Sequence, residues 1–191
     1  MKTIRKSIPV KKKMQEKQSS MKLSIGWETD RDIAKELADF FVVNVTPAYI
    51  SFGEIQFGRA IDSRRWSPKF REVLLDEFKG AIKTRGNVRE GRRVAVARHE
   101  GLILGIVVIG IHLKANNPHV VIEDLVVDQK KRGNGYGKEI LNWVELQAAK
   151  MKAVDLFLES GITNEDAHDF FEKNGFEVVS KVMIKKVHYE K

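Results

Sequence analysis

The chain has 191 residues, 42% of them hydrophobic and 31% charged, a composition that suits one domain with a buried core and leaves two cramped. It contains no cysteine, which excludes a disulfide framework, a thiolate nucleophile and cysteine-ligated zinc. The net charge of +8 is concentrated in residues 1–22, with eight Lys/Arg against one Glu, while the other 169 residues hold 26 basic and 25 acidic side chains.

Residues 1–21 are polar, basic and poor in large apolar groups, so they read as a disordered N-terminal extension. A solvated leader is the plain reading of such a tail, and an arm for nucleic acid or an acidic partner is the alternative. The domain proper is expected over 22–191. Its longest apolar run, Leu102 to Leu113, is broken by glycines and a histidine and falls short of the roughly 18 residues of a membrane span. No signal peptide is recognisable at the N-terminus. A soluble, cytoplasmic protein without membrane attachment is expected, as a monomer or homodimer.

Along the chain, residues 21–30 alternate like a short strand, and Asp30 stands as an N-cap before a helix over 31–45. Ile33, Leu37, Phe40 and Phe41 recur there at helical spacing, and Thr46-Pro47 ends the helix because proline disfavours a helical predecessor. Residues 48–66 have weak periodicity and two glycines, which predicts a long loop with some helix. Pro68 then opens a second helix over 68–84, with Phe70, Val73, Leu74 and Phe78 on one side.

After residues 85–92 the apolar period switches to two. Residues 93–101 and 102–113 form a strand hairpin about a His99-Glu100-Gly101 turn. Residues 119–128 are nearly all apolar except for Glu123 and Asp124, as in a strand buried on both faces. A helix over 137–151, a strand over 153–160, a short helix over 164–174 and a closing strand or hairpin over 176–187 follow. The fold class is therefore α/β (α+β), a single domain with a mixed central sheet flanked by helices.

Between strand and helix lies KRGNGYGKEI, residues 131–140, with glycines at 133, 135 and 137. Such a turn presents unpaired backbone N–H groups at a helix N-terminus, where the helix dipole also favours an anion. A dinucleotide fold wants G-x-G-x-x-G in its first βαβ unit, and a P-loop wants G-x-x-x-x-G-K-[ST]. Here the spacing is G-x-G-x-G, several strands precede it, and Glu139 follows Lys138. Coenzyme A and a mere helix-capping turn remain.

Arg132 to Gly137 matches R/Q-x-x-G-x-G/A, and downstream NEDAHDFFEKNGFE resembles N-x-x-A-x-x-F-Y-x-K-x-G-F. Both stretches, in this order, resemble the GNAT superfamily of acyl-CoA-dependent N-acetyltransferases, well over 94–187 and by element order alone over 22–93. The resemblance implies a GNAT-like fold and acetyl-CoA as acyl-donor substrate, with no metal and an amine as acceptor. It implies that the backbone of Leu125, Val126 and Val127 pairs with the pantetheine arm. The N–H groups of Arg132, Gly133, Gly135, Gly137 and Lys138 would hold the pyrophosphate, with Asn134 and Tyr136 completing the loop. Asn164 would bond near the pantetheine, and Phe170 and Phe171 would line the thiol end. Nucleic acid is not expected as a partner beyond the tail.

Acetyl transfer to an amine needs a neutral nucleophile, an oxyanion donor and an exit for the thiolate. Glu123, in apolar surroundings two residues before Leu125, is the first candidate base, and Asp124, on the other face of an alternating strand, is the reserve. The resemblance would have the N–H of Val126 or its neighbour polarise the thioester carbonyl. Many relatives carry tyrosine where this chain has Phe171, and phenylalanine has no proton to give. His168, three residues earlier, is the candidate donor in its place. A binding or regulatory module that keeps the acyl-CoA site with little turnover is the alternative that Phe171 supports. Acceptor determinants are expected in 48–66, where Glu54 would read a cation and Arg59, Arg64 and Arg65 an anion.

Overall fold

The computed structural model describes residues 23–82, 89–185 and 187. The predicted basic extension over 1–21 lies outside the described residues. Five strands form one mixed sheet in the order β1-β4-β5-β6-β7: Ser24–Trp27, Glu90–His99, Leu102–His112, His119–Val127 and Asp155–Leu158. β1, β4, β5 and β6 run antiparallel to their neighbours, and β7 is parallel to β6. β2 (Ala60–Asp62) and β3 (Arg65–Trp66) make a separate small hairpin.

Helices cover both faces. α1 (Ala34–Asn44) and α3 (Phe70–Ile82) lie on one side, where Leu37, Phe41, Leu74 and Phe78 close over Val94, Val96, Ile106, Val108 and Val126. α4 (Tyr136–Met151) lies on the other, with Ile140, Leu141 and Val144 against Ala95, Val107, Ile109, Val120 and Ile122. Alternate residues of β4 and β5 thus feed opposite cores, the period-two pattern of strands buried on both faces. Each fully buried Leu, Ile or Phe contributes about 1.5–3 kcal/mol through the water it sheds. The β4–β5 turn has Glu100 at φ 50° and Gly101 at φ 83°, the two positive values a tight hairpin turn requires.

Three expectations need correction. Asp30 does not cap α1. Its Oδ1 accepts from the Asp32 N–H in a local turn, and the helix begins at Ala34. The residues between Pro47 and Trp66 are more ordered than a loop: a 3-10 turn at Pro47–Tyr49, α2 at Phe52–Gln56 capped by the Ser51 hydroxyl, then the β2–β3 hairpin. Finally, residues 176–185 form no strand, and Val178, Val179, Val182, Met183 and Ile184 are exposed. Apolar, β-prone residues make a strand only where a sheet edge accepts their ladder, and this stretch has no such partner among the described residues.

Candidate active site

β6 and β7 are paired only from His119–Asp155 to Ile122–Leu158, where β7 ends. β6 runs on to Val127, held to β5 on one side, with its other edge beyond Ile122 facing a cavity of about 630 Å³. Leu125, Val126 and Val127 line this cavity along that edge. α5 (Glu165–Glu172) forms the opposite wall through Asn164, Ala167, Phe170 and Phe171. The third wall is the segment from Val45 to Glu54.

The glycine loop closes one end. Gly133 and Gly135 take φ of 78° and 86°, a region that side chains disfavour, and Gly135 is the N-cap of α4. Gly137 abuts the Phe170 ring, which a Cβ would meet at 3.4 Å. Gly137 and Lys138, in the first turn of α4, line the same space, where a helix start presents backbone N–H groups that no carbonyl of the helix itself accepts. Lys131, Arg132, Lys138 and Lys173 surround that end, giving it positive charge. The Arg132 guanidinium also donates to the Asn44 carbonyl at 2.6 Å, tying the loop to the C-terminus of α1. These features fit the pyrophosphate and pantetheine of coenzyme A.

Not every expected residue is at the cavity. The Asn134 amide turns back to donate to the carbonyls of Lys131 and Arg132, bracing the loop. His168 is half-buried and does not line the cavity, because the inward face of α5 is taken by Asn164, Ala167, Phe170 and Phe171. Leu125 to Val127, Arg132, Gly133, Gly135 to Lys138, Asn164, Phe170, Phe171 and Glu123 do line it.

The carboxylates depart from simple alternation. Val108 pairs with Asp124 and Ile109 with Ile122, so Glu123 is the extra residue of a β-bulge. As a result both acids lie on the α1/α3 side, and Asp124 is not on the opposite face. Glu123 forms an ion pair with Arg92 in space left by Gly110, where a Cβ would come within 2.7 Å of its Oε1. Burial pushes the Glu123 carboxyl up, and Arg92 partly offsets this.

Asp124, 1% exposed, receives both guanidinium nitrogens of Arg59 at 2.9 and 3.1 Å and the Tyr49 hydroxyl at 3.0 Å. That commitment removes it as a reserve base. Arg59 is itself only 5% exposed and also bonds Glu77 at 2.7 Å and Glu54 at 3.2 and 3.4 Å. It therefore reads no external anion, contrary to expectation. Burial, opposed by Arg59 and assisted by Asp124, pushes Glu54 up to about 7. Burial also raises the Tyr49 phenol well above its ordinary value, which keeps it a neutral donor.

Sequence reasoning named Glu54, Arg59 and Asp124 singly but missed that they meet, because the stretch from Tyr49 to Arg59 reaches Glu77 of α3 and Asp124 of β6 only in the fold. It also missed Ser160, whose buried hydroxyl lines the cavity with no hydrogen-bond partner among the described residues. Gly161 went unnoticed as well; a Cβ there would meet the Ile50 carbonyl at 2.4 Å.

The sequence profile described as the acetyltransferase (GNAT) family matches residues 58–176. Similar solved structures include an aminoglycoside N-acetyltransferase in complex with CoA, 13% identical with a TM-score of 0.61, covering 88% of this chain and 96% of that one. An aminoglycoside antibiotic 6'-N-acetyltransferase from Acinetobacter baumannii is 14% identical with a TM-score of 0.62, over 88% and 100% of the two chains. A ribosomal-protein-alanine N-acetyltransferase from Brucella melitensis biovar Abortus 2308 is 13% identical with a TM-score of 0.57, over 87% and 100%. At such identities the likeness establishes the fold alone. No curated protein matches the sequence.

Proposed function

We propose that this chain, which belongs to the acetyltransferase (GNAT) family, carries an acetyl group from acetyl-CoA to a primary amine by direct attack in a ternary complex. The observation that carries the reading is the open edge of β6. It runs from the bulged Glu123 to Val127 and meets the glycine loop at one end and buried carboxylates at the other, all in one cavity.

The α4 N-terminus and the surrounding lysines bind the pyrophosphate, and the β6 edge between Leu125 and Val127 pairs with the pantetheine amides as a further strand would. Its N–H groups stabilise charge on the carbonyl oxygen when the amine attacks. The amine enters from the side of Thr46, Tyr49, Ser51 and Glu54, because the glycine loop occupies the other end. Asp124 is fully engaged, and of the carboxylates that line the cavity Glu159 and Asp166 are exposed, so Glu54 and Glu123, which burial pushes up, are the ones suited to take its proton. The Phe171 ring packs on Phe170 and Phe176 and gives no proton to the departing sulfur.

The test is direct. Acetyl-CoA is incubated with the protein and spermidine, kanamycin or a peptide with a free N-terminal alanine, and CoA release and N-acetyl product are measured together. Stoichiometric release and acetylation of at least one amine support the reading. Tight CoA binding with no transfer to any of them favours instead an acyl-CoA-binding regulatory module, the reading that the apolar Phe171 supports.

A further inference from the structure

Four carboxylates, from Glu54, Glu77, Glu123 and Asp124, share two guanidiniums, from Arg59 and Arg92. The bonds are unequal. Asp124 takes the bidentate face of Arg59, Glu77 takes its Nε at 2.7 Å, and Glu123 is paired to Arg92. Glu54 receives only a shared Nη1, through two long contacts of 3.2 and 3.4 Å. It is buried at 6% exposure, yet lines the cavity opposite the β6 edge. A buried site with more acids than bases lowers its energy by taking up a proton or a cation, and the carboxylate with the least countercharge takes it. Glu123 has the Arg92 charge beside it, shared only with Glu77 at 3.8 Å, although its Oε2 gains no well-directed hydrogen bond there, whereas Glu54 divides Arg59 with both Asp124 and Glu77.

Resting on the acetyltransferase reading, we infer that the Glu54 carboxylate, and not Glu123, holds the acceptor ammonium and receives the proton it gives up before attack. Asp124, Arg59 and Tyr49 are positioning residues: they fix the Glu54 side chain and spread its charge. In the step itself R–NH3+ and Glu54–COO− become R–NH2 and Glu54–COOH. The nitrogen lone pair then forms the C–N bond and the C–S bond breaks. The second amine proton passes to the thiolate sulfur, giving the amide and CoA-SH, and Glu54 returns its proton to water. No acid from α5 is needed, which agrees with Phe171.

The groups facing Glu54 are Arg59, Asp124 and the neutral Tyr49, with Glu77 from α3 behind Arg59, the Glu123–Arg92 pair along β6, and Glu159, whose carboxylate accepts the Gly53 N–H at 3.2 Å. Of these the cavity carboxylate pushed up to about 7 is Glu54. The pH dependence of kcat/KM is therefore diagnostic. With spermidine or kanamycin as acceptor, the wild type should rise with pH to a plateau with an inflection near that value. E54Q should lose about 100-fold at pH 7, and its inflection should move up toward that of the free amine, at about 10.

E123Q should lower the plateau less and leave the inflection in place. CoA affinity of E54Q within two-fold of wild type shows that the donor site survives. Should E54Q fail to fold, E54D, which keeps a carboxylate, should retain the inflection near 7 at a reduced plateau. An unmoved inflection in E54Q, a moved one in E123Q, or one that shifts in E54D overturns the assignment and leaves acetyl transfer standing. A wild type that binds acetyl-CoA and acetylates no amine overturns both.

Discussion

Glu54 owes its character to residues far away in the chain, and that has consequences for stability as well as for chemistry. Its folded-state value of about 7 lies above the ordinary 4.5, so between those limits the folded protein holds this proton more tightly than the unfolded chain does. The resulting contribution is complete below pH 4.5, declines as pH rises, and is gone above about 7. A shift of this size corresponds to roughly 3 kcal/mol. E54Q, which is neutral throughout, should therefore gain in melting temperature relative to wild type between pH 5 and pH 8; a constant difference across that range would show that Glu54 titrates normally. Glu28 runs the other way, since bonds from Arg98 and the Thr29 and Asp30 N–H groups outweigh its burial and hold it low, so its contribution is lost only in acid. A second residue tests the exit of the thiolate. If the amine proton serves the sulfur, Phe171→Tyr should leave kcat within about three-fold, and a gain of ten-fold or more would show that thiolate departure had limited the rate. Glu54 was legible in sequence as a reader of a cationic acceptor, but its raised carboxyl was not, because Arg59, Asp124 and Tyr49 reach it only in the fold. Glu123 was legible as a buried acid beside the open edge, but alternation misplaced Asp124, because one bulged residue reverses the side on which every later side chain falls.

At the scale of elements, the glycine loop was the most readable part of the chain, because its requirements are local. Gly133 and Gly135 are needed for backbone conformations that an L residue resists, while Gly137 gives room to Phe170 across the cavity. Gly135→Ala forces a side chain into φ 86° at the N-cap of α4, at a cost of about 1–2 kcal/mol. Relief of that strain would rotate the N–H groups away from the cavity, so CoA affinity should fall at least ten-fold while α1 and α3 remain folded. Calorimetric titration with CoA checks this, and an unchanged Kd would remove the loop from the donor site. The hairpin of β4 and β5 and the three long helices were readable for the same reason, since period and turn chemistry are carried within each segment. The stretch after Phe176 was not, because its apolar alternation is only half of a strand; the other half is an edge to pair with.

At the scale of the whole molecule, the sheet splits into two parts beyond Ile122 and Leu158, where β6 and β7 stop pairing. The larger part carries α1, α3 and most of both cores, and the smaller part, β7 with α5, is tied to it by a short parallel ladder and by the Glu159–Gly53 and Gly161–Ile50 contacts. A donor lying along the open β6 edge would touch α4, β6 and α5 together, and so bridge the two parts. Ligand bound to the folded state alone stabilises it by about 2.7 kcal/mol at one hundred times Kd, roughly 5–10 °C for a domain of this size. Acetyl-CoA should produce a shift of that order, and hydrogen exchange should slow at the amides of Leu125 to Val127, in the first turn of α4 and through α5. The hydrogen bonds of α1 and α3, which the donor does not touch, should gain only what global stabilisation confers. A melting temperature unmoved by millimolar acetyl-CoA would show that the cavity does not hold the donor. Protection confined to α1 and α3 would place the ligand on the wrong face of the sheet.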